Sequence, residues 1–167
     1  MVATALVGAI ATARPAQAQS PIPIRLKLGV LAATDPDVRD VTHSPIFSGE
    51  VEVRLPVSQL SVSLGYAYGE KGGTNFRSIP LLVNKIFSPP NPLAGTVGNL
   101  YYGAGLGLYF LHRGGHDSGS NTNFGGRGTI GYQFPNPFFV EAQYHMVAGG
   151  VKGLSPNGLA LYGGYKF

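Results

Sequence analysis

His116, Ser118, Asn121 and Asn123 put an imidazole, a hydroxyl and two amides into one short stretch of the chain. A serine becomes a nucleophile when an imidazole takes its proton and a third group orients the imidazole. Asp117 is the carboxylate at hand, but in an extended segment it points away from both of its neighbours. No Glu lies in the strand-like segment that follows, and Gly, Ser and Asn are the residues that ordinarily build turns. The expectation is a non-enzymatic loop with no catalytic residues.

A second set of chemically capable residues alternates with apolar ones. Arg25, Lys27, Arg54, Arg127 and Lys166 stand against Glu50, Glu52 and Glu141, with Gln143 and His145 nearby. Charges taken out of bulk water cost several kcal/mol each unless paired, and the interior of a small barrel is only wide enough for side chains to fill it. A lumen charge network is therefore expected rather than a ligand site or a wide channel. His43, His112, His116 and His145 lack metal-ligand spacing on a shared face. With no Cys, disulfides, thiolate metal sites and thiol nucleophiles are excluded, and no Gly-x-x-x-x-Gly-Lys-Ser/Thr cradle occurs. No metal and no cofactor is expected. The 12 Lys and Arg outnumber 8 Asp and Glu but are scattered singly, which gives no phosphate-tracking surface for nucleic acid.

Such residues need elements of period two to hold them. Eight segments of roughly ten residues have that period, the signature of an antiparallel membrane barrel. They run Ile24 to Ala33, Phe47 to Leu55, Gln59 to Gly69, Phe76 to Phe87, Leu100 to His112, Asn123 to Phe134, Phe138 to Met146 and Leu159 to Phe167. In the third, Leu60, Val62, Leu64, Tyr66 and Tyr68 oppose Ser61, Ser63, Gly65 and Ala67. The fourth is apolar on both faces and contains Pro80, which cannot donate to a ladder, so a bulge is expected there. The fold class expected is all-β, an eight-stranded antiparallel up-and-down transmembrane β-barrel.

Short connections at Pro56 to Ser58 and Pro135 to Pro137 alternate with longer polar ones. With the amino terminus periplasmic, the outer loops are Asp35 to Ile46, Glu70 to Asn75, Arg113 to Thr122 and Gly149 to Gly158, while Ser88 to Asn99 is a long connection on the periplasmic side. Residues 1–18 contain an apolar stretch and end in Ala16-Gln17-Ala18, which fits a secretory signal with an A-x-A cleavage site. That leaves residues 19–167 as one barrel domain. Beyond the signal no run reaches the roughly 18 apolar residues of a spanning helix, since Gly103, Gly105 and Gly107 interrupt Leu100 to Leu111.

The final segment, Leu159 to Phe167, has Leu, Leu, Gly, Tyr and Phe at every second position and ends on an aromatic residue. It resembles the terminal strand of bacterial outer-membrane β-barrel proteins, and the resemblance implies that Tyr165 and Phe167 form a terminal signal for the barrel assembly machinery. Outward aromatics gather at both ends of the segments, as interfacial girdles do. Over residues 24 to 167 the chain is similar to the small eight-stranded barrels that include OmpA-type transmembrane domains and the OmpX/Ail surface proteins. The resemblance implies a cell outer-membrane location, a structural, adhesive or surface-interaction role, and contact with outer-membrane lipid and lipopolysaccharide, whose phosphates Lys71, Arg113 and Lys152 could meet. Two alternatives come with it. The His116 to Asn123 stretch is faintly similar to the His-x-Ser-Asn motif of outer-membrane lipid A deacylases, except that Gly119 follows the serine. A soluble lipocalin-like barrel binding an apolar ligand would turn the apolar face inward.

Overall fold

The computed structural model describes residues 23–42, 45–56, 59–91 and 94–167. The expected signal sequence, residues 1–18, lies outside the described residues. Eight strands close into one barrel in sequence order: β1 (Ile24–Ala33), β2 (Ile46–Arg54), β3 (Leu60–Lys71), β4 (Thr74–Phe87), β5 (Asn99–Gly114), β6 (Gly119–Gln133), β7 (Phe138–Val147) and β8 (Gly158–Lys166). All neighbours are antiparallel, and β8 returns to pair with β1 from Arg25↔Lys166 to Ala33↔Gly158. Closure joins the first and last strands, and at the loop end residues 119–124 of β6 run past β7 with β5 as their ladder partner. Two short helices lie outside the ladder, α1 (Pro36–Val41) and α2 (Ala94–Val97).

The alternation sorts each strand cleanly. Large apolar side chains are exposed on the outer face of all eight strands, Leu28 at 76% and Phe47 at 79% being extremes. The inner face holds the charged and amide residues together with Tyr101, Tyr109, Phe139 and Tyr162. The lumen is filled in layers, and both chain ends of the described barrel leave from one mouth, here the terminal end. The opposite mouth is the loop end.

Several sequence expectations shift at the loop end. The bulge expected in β4 is absent, because Leu64↔Leu81 and Ala67↔Ser78 lie in one unbroken register on either side of Pro80. The missing amide simply removes ladder bonds locally, and the Pro80 ring packs where Gly65 has no side chain. The loop expected over Glu70 to Asn75 is a two-residue hairpin turn. Gly72 and Gly73 both have positive φ, 60° and 79°, as a type I′ turn requires, and Lys71 pairs with Thr74 across it. The loop expected over Arg113 to Thr122 shrinks to residues 115–118, since the β5–β6 ladder runs on to Arg113↔Gly119. The segment from Asp35 to Ile46 carries α1, whose first turn is capped by Asp35 Oδ1 accepting from the Asp37 amide at 2.9 Å, with Pro36 inside the start.

Candidate functional site

Six ionised side chains meet at the level of the lower lumen. β1 and β2 supply two apiece, because Arg25↔Glu52 and Lys27↔Glu50 are directly opposed across their ladder. Arg127 reaches in from β6 and Glu141 from β7. All six are between 1% and 4% exposed. Three cations face three carboxylates, so the cluster is formally neutral.

Lys27 is its hub. Its Nζ lies 2.8 Å from Glu50 Oε1, 2.6 Å from Glu52 Oε2 and 2.8 Å from Glu141 Oε2. Hydrogen-bond geometry is met toward Glu50, and the other two contacts are ion pairs. Arg127 closes the other side with all five of its N–H groups engaged. Nη1 and Nη2 clamp both oxygens of Glu50, Nη1 also donates to Gln143 Oε1 at 2.9 Å, Nη2 to Ser63 Oγ at 3.1 Å and Nε to Asn84 Oδ1 at 3.1 Å. A planar fork saturated in this way is the arrangement that makes a buried guanidinium tolerable.

The carboxylates are satisfied by neutral donors as well. Ser61 Oγ donates to Glu52 at 2.6 Å, Tyr101 OH to Glu141 Oε1 at 2.7 Å and Gln143 Nε2 to Glu141 Oε2 at 2.7 Å. Arg25 donates to Glu141 at 3.1 Å and makes cation–π contacts with two rings, its Cζ 4.1 Å from the Phe139 centroid and 4.7 Å from that of Tyr101. Those rings need room that two glycines give. A Cβ at Gly131 would run into the Tyr101 ring and one at Gly164 into the Phe139 ring.

Above the charged layer the lumen turns apolar. Tyr109 OH bonds His145 Nδ1 at 2.9 Å and Tyr162 OH bonds Ser48 at 2.6 Å. Over them Phe76, Leu111 and Ile46 from the wall pack with Val38 of α1 and with Val151 and Leu154 of the 148–157 loop. The two segments are tied together where Ser155 N donates to Asp35 Oδ2 at 2.9 Å and Thr34 N to Asn157 O at 2.8 Å. The loop end is thus plugged by the chain's own side chains.

Two residues grouped with the charge network by sequence do not join it. Arg54, half-buried, and Lys166, exposed, sit below it at the terminal mouth, and neither side chain has an ion pair or hydrogen bond among the described residues. Alternation places them on the inner face correctly but says nothing of depth. Conversely Asn84, Ser61 and Ser63 belong to the network, and Asn84 was hidden in a segment apolar on both faces. Tyr165 and Phe167 form an exposed aromatic run with Phe138, with centroids 4.8 Å apart for Tyr165–Phe167 and 5.3 Å for Phe138–Tyr165.

No hydrogen bond joins His116 to Ser118 among the described residues, and both are exposed in the 115–118 turn. The imidazole and hydroxyl that do meet are His112 Nδ1 and Ser120 Oγ, 2.9 Å apart across the β5–β6 ladder, with no carboxylate on the imidazole among the described residues. Asp117 pairs instead with Lys152 at 3.1 Å and Arg113 at 3.8 Å. Among the described residues no group of three or more His, Asp or Glu side chains is placed to hold a metal ion. No protein-family model and no curated protein matches this chain.

Proposed function

We propose that this chain is an integral outer-membrane barrel whose wall is a lipid-facing anchor and whose work, structural, adhesive or in surface interaction, is done by its loop end rather than by catalysis. The observation that carries the reading is the polarity of the wall: six ionised groups inside, large apolar side chains exposed on every strand outside. Along β4 the outer face is free of charge from Arg77 to Lys85. That is about 27 Å of strand at ~3.3 Å per residue, and roughly 20 Å of height at a tilt near 40°. Lys85 and Arg77 at its limits are long enough to reach an interface. A belt of that height, rimmed at the terminal mouth by aromatics such as Phe87, Tyr102, Phe138 and Phe167, suits hydrocarbon.

A soluble lipocalin-like barrel would carry an apolar cavity inside. Here the middle of the lumen is occupied by the ion cluster and its loop half by packed side chains, which speaks for lipid outside. At the loop end Lys71, Arg113 and Lys152 are the cations offered to lipopolysaccharide phosphates, and Tyr165 and Phe167 are the residues offered to the assembly machinery. The test is electrophoretic mobility of the detergent-refolded chain with and without boiling, read beside its far-ultraviolet circular dichroism. A β spectrum with a mobility shift supports the proposal. A β protein that stays soluble without detergent and shows no shift defeats it.

A further inference from the structure

The terminal mouth of the barrel contains a semi-enclosed cavity of about 160 Å³ lined by Pro23, Arg25, Arg54, Ser88, Asn99, Tyr101, Gln133 and Lys166. Its charge has one sign. The eight acids of the sequence can all be placed: Asp35, Asp37 and Asp40 on and beside α1, Glu70 and Asp117 at the loop end, and Glu50, Glu52 and Glu141 in the lumen cluster. None is left for this mouth. Because Arg25, Lys27 and Arg127 already balance the three lumen carboxylates, Arg54 and Lys166 stand there as two cations that no Asp or Glu side chain compensates.

The cavity also offers unused donors. Arg25, 4% exposed, forms its floor and has a buried Nε without a hydrogen-bond partner. Its Nη2 makes only a 3.5 Å contact to Gln133. Arg54, Lys166, Ser88 and Asn99 have no side-chain partner among the described residues. Register brings the three cations together from adjacent strands, since Lys166 opposes Arg25 across β8–β1 and Arg54 follows Glu52, the residue opposite Arg25 on β2.

From these observations we propose that the terminal mouth is a binding site for a phosphate dianion, presented either as free inorganic phosphate or as the monoester head of a lipid. Two guanidinium groups and an ammonium around one small cavity match the oxygens of a phosphate, which accepts charge-assisted bonds from several directions. Two free side-chain cations beside Arg25 suit a phosphate better than a carboxylate, because a phosphate monoester carries about −1.5 to −2 at pH 7. A semi-enclosed cavity of about 160 Å³ admits a phosphate group. The site lies inside the wall, so it does not depend on the membrane reading.

The experiment is titration of inorganic phosphate into the intact folded chain, in detergent or in plain buffer as its solubility dictates, followed by calorimetry and phosphorus NMR line width. Saturable one-to-one binding with a Kd at or below about 1 mM is expected. It should strengthen between pH 5 and pH 8 as phosphate takes its second charge, and weaken with added salt. The double variant Arg54→Gln, Lys166→Gln should lose at least tenfold in affinity, while Lys85→Gln, on the outer face of the same end, should bind as the parent does. Circular dichroism checks that the double variant is folded, which is expected because neither side chain has a partner to lose. A short-chain phosphatidic acid in mixed micelles that displaces phosphate identifies the lipid head as the source, and failure to displace identifies the free ion. No saturable phosphate binding, equal affinity in the double variant, or acetate binding as tightly as phosphate would overturn the proposal.

Discussion

Lys27 holds three carboxylates within 2.8 Å of one nitrogen, so its removal is the sharpest test of the lumen. Lys27→Met would keep much of the volume and leave two cations facing three acids. Breaking a buried ion pair by deleting one partner costs about 3–5 kcal/mol, since the remaining charge stays buried without compensation. The expected outcome is a lower denaturant midpoint for the refolded variant, with part of the loss recovered in Lys27→Met, Glu52→Gln, where neutrality returns. Unchanged midpoints would mean that the cluster fills the lumen without stabilising it. Which residues face inward was legible from period two alone, for strand side chains alternate faces whatever their chemistry. Their depth was not. Arg54 and Glu52 read identically in sequence, yet Glu52 is sealed and Arg54 stands at the mouth, because depth depends on stagger between strands and no single strand encodes it.

The elements were legible where lipid-compatible alternation is strong and less so where polar strand continues past it. β1 runs Ile24–Ala33 as its pattern predicts, whereas β6 begins at Gly119 rather than Asn123. Polar residues such as Ser120 and Thr122 read as loop, but each completes a ladder begun by β5, and cross-strand pairing overrides local composition. Helix α1 was missed for a related reason: six residues are too few to show a 3.6-residue period, and its capping Asp35 also suits a turn. Asp35 is the joint of the plug, capping α1 with one oxygen and holding Ser155 N with the other. Asp35→Ala should cost about 1 kcal/mol as a lost cap. Its larger effect should be local, with faster proteolysis inside residues 148–157 and a barrel that still resists boiling-free electrophoresis. Equal cleavage rates in variant and parent would show that the two segments are held without Asp35, by the Thr34–Asn157 bonds and the packing of Val38 and Leu154.

At the scale of the whole molecule the wall and the lumen make separable predictions. Leu81 is 41% exposed on β4, midway between Arg77 and Lys85 on the apolar face. In a bilayer, Leu81→Arg should destabilise the folded chain by about 2–4 kcal/mol. On a water-exposed wall the same change should stay within about 0.5 kcal/mol, so the measurement in lipid also tests the proposed location. The lumen has two seals in series, the ion cluster around Lys27 and the apolar plug of Phe76, Leu111, Val38 and Leu154. An ion crossing the barrel would have to displace paired charges and then enter an apolar layer that cannot solvate it, and each step costs several kcal/mol. The parent chain in a planar bilayer is therefore expected to show no discrete conductance steps. Trimming Phe76, Leu111 and Leu154 to Ala opens only the upper seal and should leave the bilayer silent, because the Arg127–Glu50 clamp still spans the lumen beneath. Adding Arg127→Ala and Glu50→Ala takes the clamp out of the lower seal as well, and conductance should appear only then. Steps in the parent, or in the triple variant, would show that the two layers rearrange on the timescale of ion passage and that the barrel is a gated pore.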